Sequence, residues 1–135
     1  MTLKNENVCL MSIRPKFFDR IVERQKLVEY RKVSPKNQGY IFLYVSSPIK
    51  KICGIIEIEE VLTDDVDLIW ESTKNYSGIS KAEFYSYVGL NKKISALFIK
   101  SYIPIVPITP NDIIENFIAP QNYKFIKNEK LSTMV

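Results

Sequence analysis

At 135 residues, with 46% hydrophobic and 25% charged side chains, the chain has the size and balance of one globular domain with its own core. It contains no histidine, which excludes Ser-His-Asp and Cys-His catalysis and His-ligated zinc, and two distant cysteines make no metal motif. The net charge of +4 is unevenly spread: residues 1–51 sum to +7, residues 52–90 to −6 and residues 91–135 to +3. Basic charge gathered in the first third points to an anionic partner, although a solvated charged face is the simpler reading. No apolar run approaches a membrane span and Met1 to Glu6 lack a signal core, so the expected location is the cytoplasm, with no membrane partner. Neither a metal nor another cofactor is expected.

In chain order, Val8-Cys9-Leu10-Met11 reads as a strand buried on both faces. Ser12 can cap the next element, and Pro15 suits the first turn of a helix running to about Gln25. Phe17, Phe18, Ile21 and Val22 give that helix one apolar stripe. A short strand follows around Val28 and Tyr30. Side chains alternate on a strand, so Leu27, Glu29 and Arg31 share one face, with Lys26 entering from the preceding turn. A carboxylate and a guanidinium so placed make either a surface ion pair or a polar group at the mouth of a cleft.

Ser34 to Gly39 is a turn-rich connector, and Tyr40 to Val45 is the next strand. It ends at Ser46-Ser47-Pro48 with Lys50 and Lys51 beyond, hydroxyls and lysines of the kind that hold phosphate, or else an ordinary Ser-Pro turn. Ile52 to Leu62 is a long strand in which Gly54 marks a bulge or a close backbone approach. Cys9 and Cys53 both fall in apolar strands and are expected to be buried free thiols. Asp64 and Asp65 cap a helix with Val66, Ile69 and Trp70 inside. Ser80-Lys81-Ala82-Glu83 is a capping box opening a second helix that stops at Gly89. Lys93 to Tyr102 is the closing strand. Thr109-Pro110 can start a short helix, Tyr123 to Ile126 a last strand, and the final residues are expected to fray.

The order of these parts, Ser12-Ile13-Arg14-Pro15, then Lys26 with Glu29 and Arg31, then Ser46-Ser47-Pro48 and Gly54 to Ile58, resembles the ASCH family of the PUA-like superfamily. The likeness runs from about Val8 to Tyr102, and Pro120-Gln121 with Tyr123 looks like the tail of some members. It implies an α+β fold: a mostly antiparallel β-barrel of five or six strands with flanking helices. The chain would be a single domain over 1–135, with its core at about 8–102 and a carboxyl-terminal extension at 103–135.

The resemblance also implies RNA or a modified nucleotide or nucleoside as partner. The candidate binding residues are Ser12, Arg14, Lys26, Glu29, Arg31, Ser46, Ser47 and Lys50, with Tyr30 and Tyr44 as nearby aromatic rings. Some relatives are hydrolases of RNA or of acylated cytidine, the latter using a lysine at the position of Lys26 and a threonine three residues later. Glu29 stands at that threonine position here, so Lys26 and Glu29 would be the catalytic groups of an enzyme, and binding is the favoured reading. The oligomeric state is left open.

Overall fold

The protein is described by a computed structural model over residues 7–35 and 39–135. Met1 to Glu6, and the Lys36-Asn37-Gln38 part of the turn-rich connector, lie outside the described residues. The described residues form six strands: β1 (Asn7–Ile13), β2 (Val28–Arg31), β3 (Gly39–Val45), β4 (Lys51–Asp65), β5 (Lys93–Ile108) and β6 (Tyr123–Lys127). Among the same residues are four α-helices, α1 (Pro15–Val22), α2 (Val66–Thr73), α3 (Lys81–Val88) and α4 (Glu129–Ser132), and two short 3-10 turns. Among the described residues no helix is long and apolar enough to cross a membrane.

The strands form one sheet in the order β2-β5-β4-β3-β1-β6, in which only the β1–β3 pair is parallel. The expected barrel is not formed. Both edges of β1 are already paired, one with β3 and the other with β6, so β2 has no ladder on β1 to join. The sheet therefore stays open, with β2 and β6 as its edges. The register of β4 shifts around Gly54 against both neighbours, which is the irregularity that residue announces. Tyr102 lies so close over Gly54 that a Cβ there would meet its ring at 2.5 Å.

Three apolar clusters divide the sheet. Met11, Ile13, Leu43, Ile56 and Leu97 gather under α1, whose Phe17 and Phe18 pack on them. At the far end of the β4–β5 ladder, Ile94 and Ala96 of β5 and Tyr30 of β2 pack against Ile69 and Trp70 of α2 and Phe84 of α3. The opposite face buries Leu10, Phe42, Ile52 and Ile55 beneath Leu131 of α4 and the segment carrying Ile113 and Phe117. Leu131 is fully buried, so α4 is docked on the sheet, while Thr133 to Val135 beyond it are exposed. Ser12 does not cap α1: Arg14 occupies the N-cap without a side-chain bond, and Ser12 Oγ donates to Pro120 O at 2.6 Å. The capping box at Ser80 and Glu83 is formed in both directions.

Candidate functional site

The junction between α1 and β2 positions the first functional side chain. Arg24 takes a positive φ of 61° and ends the helix, while the backbone N–H groups of Gln25 and Lys26 both donate to Arg20 O. The loop after α2 then lies directly on this turn. Gly78 has a φ of +64°, and a Cβ there would sit 2.6 Å from Gln25 O and from Lys26 Cα. Only glycine permits that approach, and the approach leaves Lys26 just 2% exposed.

Glu29 and Arg31 share a face of β2, as alternation requires, yet they are not a surface pair: their exposures are 6% and 8%. Glu29 sits between two cations. Its Oε1 lies 3.2 Å from Lys26 Nζ, and its Oε2 accepts from Arg31 Nε at 2.9 Å and from Arg31 Nη2. Lys26 Nζ also donates to Val28 O at 2.7 Å and to Ser77 O at 3.5 Å, which commits all three of its hydrogens. Arg31 Nη2 further donates to Ser12 O at 2.9 Å, and Nη1 to Asn122 Oδ1 at 2.9 Å. The guanidinium thus spans the gap between β2 and β1 that no ladder closes.

Charge balance in this group decides its titration. Burial pushes the Glu29 carboxyl up, but Arg31 and Lys26 together outweigh it and hold the group below the ordinary carboxylate range. Burial draws the Lys26 ammonium below its ordinary value, opposed by Glu29 and reinforced by the positive charges of Arg31 and Arg20. Cys9 is not a nucleophile near neutral pH, since burial pushes its thiol up to about 12. Cys53 is free and half-buried. Among the described residues no group of three acidic or sulfur ligands could hold a metal ion.

The triad forms the floor of a cavity of about 610 Å³. Of the candidate residues, Ser12, Arg14, Lys26, Glu29, Arg31 and Ser46 line it, whereas Ser47 and Lys50 lie on the exposed turn outside it. Tyr30 and Tyr44 border the cavity but are only 4% and 7% exposed, held by Phe84 and Thr73 in one case and Phe117 in the other. Their rings are core. The polar lining residues that were not among the candidates are Lys16, Glu83, Ser86, Tyr87 and Gln121, the last noted in the sequence only as part of the tail resemblance.

Glu83 was legible as a capping residue but not as a cavity residue. Its carboxylate takes Ser80 N, Arg20 Nη1 at 3.1 Å and Lys16 Nζ at 3.3 Å, tying α3 to α1. Those bonds, the Ser80 backbone first, hold it down to about 2. Tyr87 is half-exposed on the next turn of α3, with Lys32 Nζ 5.1 Å from its ring. The i, i+4 spacing of Glu83 and Tyr87 on one helix face is the signal that could have found them together. Arg14, in contrast to the floor, is exposed and pairs with no carboxylate among the described residues.

An open α+β sheet whose strand ends converge on a buried Lys-Glu-Arg group beneath a basic rim defines a small ligand-binding domain. The pattern of the ASCH domain family matches residues 11–104, and the chain belongs to that family. A curated relative, an "ASCH domain-containing ribonuclease" of Zymomonas mobilis subsp. mobilis, is 26% identical over 131 residues, covering 93% of this chain and 88% of the relative. The chain also resembles part of the large ribosomal subunit protein uL22 of Ureaplasma parvum, at 29% identity over 106 residues, 76% of this chain but only 33% of that protein. The crystal structure of ASCH from Zymomonas mobilis superposes with a TM-score of 0.85 at 26% identity, covering 97% of this chain and 94% of that one. A single-substitution variant of that protein superposes with a TM-score of 0.86. The site is a network of basic and acidic side chains consistent with nucleic-acid binding.

Proposed function

We propose that this domain binds RNA, taking one unpaired nucleotide into the cavity above Lys26, Glu29 and Arg31. The observation that carries the reading is the contrast within one cavity: a floor holding two cations and one anion, and a mouth with an uncommitted Arg14. The floor gives the cavity a positive field in a partly dry setting, and Arg14 supplies the exposed charge that meets a phosphate. Tyr87 offers the half-exposed ring on which a base can stack. Ser46, at the end of β3, adds a hydroxyl to the same rim.

The test is binding of short single-stranded RNA across a salt series. Affinity that falls steeply with salt in the wild type, and less steeply in Arg14→Ala, supports the reading. Salt-independent binding, or none at low salt, removes it. Arg31→Ala is a poor probe of contact, because Arg31 also holds β2 to Ser12.

A second reading, hydrolysis, is favoured by the likeness to a protein named a ribonuclease and by the burial that lowers the Lys26 proton affinity. Lys26 and Glu29 would then move protons. Against it, the Lys26 hydrogens all have partners within the protein, which suits an ammonium that holds charge in place. Incubation of purified protein with RNA, and separately with N4-acylated cytidine, decides the matter. Turnover by the wild type that vanishes in Lys26→Ala makes the domain an enzyme; no turnover leaves it a binder.

A further inference from the structure

The residue after β2 is a cation that the cavity floor does not use. Arg31 is paired to β5, and Val33 O accepts from Asn122 Nδ2 at 2.9 Å, so the backbone of Lys32 is held on both sides. Its own N–H donates to Tyr87 Oη at 3.3 Å. The residue is exposed, and its Nζ lies 5.1 Å from the centre of the Tyr87 ring. Lys32 pairs with no carboxylate among the described residues, and it does not line the cavity, whereas Tyr87 does. The ammonium therefore stands outside the cavity, against a ring that lines it.

The floor brings this lysine near the other free cation of the rim. Arg31 Nη2 donates to Ser12 O at 2.9 Å; Lys32 follows Arg31 directly, and Arg14 comes two residues after Ser12. Two exposed cations without carboxylate partners thus leave one bonded junction between the ends of β1 and β2. The neighbouring cations are already committed, Lys16 and Arg20 to Glu83, and Lys26 and Arg31 to Glu29. A cation over an exposed ring is held weakly, so Lys32 can exchange that contact for a phosphate at small cost. One free cation suits a mononucleotide, which carries one phosphate. Two at one mouth suit a nucleotide with a phosphate on each side of its sugar, as in a strand.

We propose that the ligand is an RNA strand and not a free nucleoside or mononucleotide: it leaves the cavity beside Tyr87, with Arg14 and Lys32 holding the two phosphates that flank the cavity nucleotide. This rests on the reading of the cavity as an RNA site and names the part of that ligand which the cavity does not enclose.

The smallest ligand carrying both phosphates is a nucleoside 3′,5′-bisphosphate. Its affinity is compared by NMR titration with those of the 5′-monophosphate, the 5′-diphosphate and a single-stranded tetranucleotide. In the wild type the bisphosphate is expected to bind about fivefold tighter than the monophosphate, the upper range for one exposed ion pair. The diphosphate, whose second phosphate lies on the same side of the sugar, should not match it. Lys32→Ala should remove the gain and Lys32→Arg restore it. Lys93→Ala, which removes an exposed charge at the start of β5, should leave it intact. The tetranucleotide should bind at least as tightly as the bisphosphate and show the same loss in Lys32→Ala. A gain that survives Lys32→Ala, or falls equally in Lys93→Ala, overturns the proposal, as does a diphosphate equal to the bisphosphate. A tetranucleotide weaker than the bisphosphate would make the ligand a free bisphosphate and overturn the strand. Binding of the monophosphate with no gain from the second phosphate overturns this inference alone, whereas no binding of any of the four at low salt sinks the RNA reading with it.

Discussion

The floor and the rim of the cavity use the same residue types in opposite ways. On the floor, Lys26, Glu29 and Arg31 are almost wholly buried and satisfy one another. On the rim, Arg14 is exposed and unpaired among the described residues, and Lys16 reaches Glu83 across a solvated gap with 53% of its side chain exposed. A buried charge is tolerated only when its partners are complete, so the floor is part of the fold as much as of the site. An exposed charge costs little to keep and little to lose, so the rim is free to meet ligand. The lesson is that charge alone does not mark contact residues: commitment to internal partners does.

The largest effect follows from breaking the floor. Glu29→Ala leaves two buried cations facing each other, and a loss of about 3–5 kcal/mol is expected. Urea unfolding measures it, and a loss near that of an ordinary surface change would show that water reaches the triad.

Acid sharpens the comparison next. The Glu29 carboxyl is held below its ordinary 4.5, so its contribution is complete above that value and lost as pH falls through the depressed folded one. Glu83, held down to about 2, loses its contribution in the same direction. Urea midpoints in the wild type should therefore fall with pH below about 4.5. Glu83→Gln removes the rim share, and the acid sensitivity that remains belongs to Glu29. At the alkaline end the Lys26 shift has the sign opposite to that of a lysine gaining a partner. Its folded value lies below 10.5, so between the two values the unfolded chain binds the extra proton and the Lys26 contribution rises with pH, against the falling contributions of Cys9, Tyr30 and Tyr87, whose folded values burial raises. Lys26→Met should abolish that rise.

How far the sequence disclosed these two regions depends on the range of the contacts involved. Alternation along Glu29-Tyr30-Arg31, the capping box at Ser80 and the bulge at Gly54 are local patterns, and each took the form its residues announce. The burial of the triad was not legible, because the cover comes from Gly78 and Ser77, about fifty residues away, packing on the Lys26 turn. Barrel closure was misjudged for a similar reason. Strand propensities count strands but do not say that β6 takes the edge of β1 that β2 would need. Asn122 gave no signal of its own, being one polar residue in a loop until the fold brings Arg31 to it.

At the rim the expected effects are smaller and fall on binding. Arg14→Ala should weaken RNA binding by about 1 kcal/mol and lower the salt slope by about one, with stability unchanged. Unfolding midpoints run beside the binding series check the second half. A stability loss comparable to that of Glu29→Ala would place Arg14 in the fold and erase the distinction between floor and rim.

The smallest effect concerns Lys50, which lies on the exposed turn after β3 with a φ of 54° and does not line the cavity. Its charge acts on a ligand in the cavity only through solvent. At physiological salt such a field is damped over about 8 Å, whereas at about 0.01 M salt it reaches about 30 Å. Lys50→Ala should therefore reduce affinity at low salt and scarcely at all at physiological salt, while the loss in Arg14→Ala persists at both. Ser47→Ala, which removes no charge, should change neither. Binding measured for the three variants at the two salt levels separates contact from steering. Equal and salt-resistant losses at Lys50 and Arg14 would mean that the ligand runs out of the cavity along the turn after β3, and the contact surface would then extend past the rim.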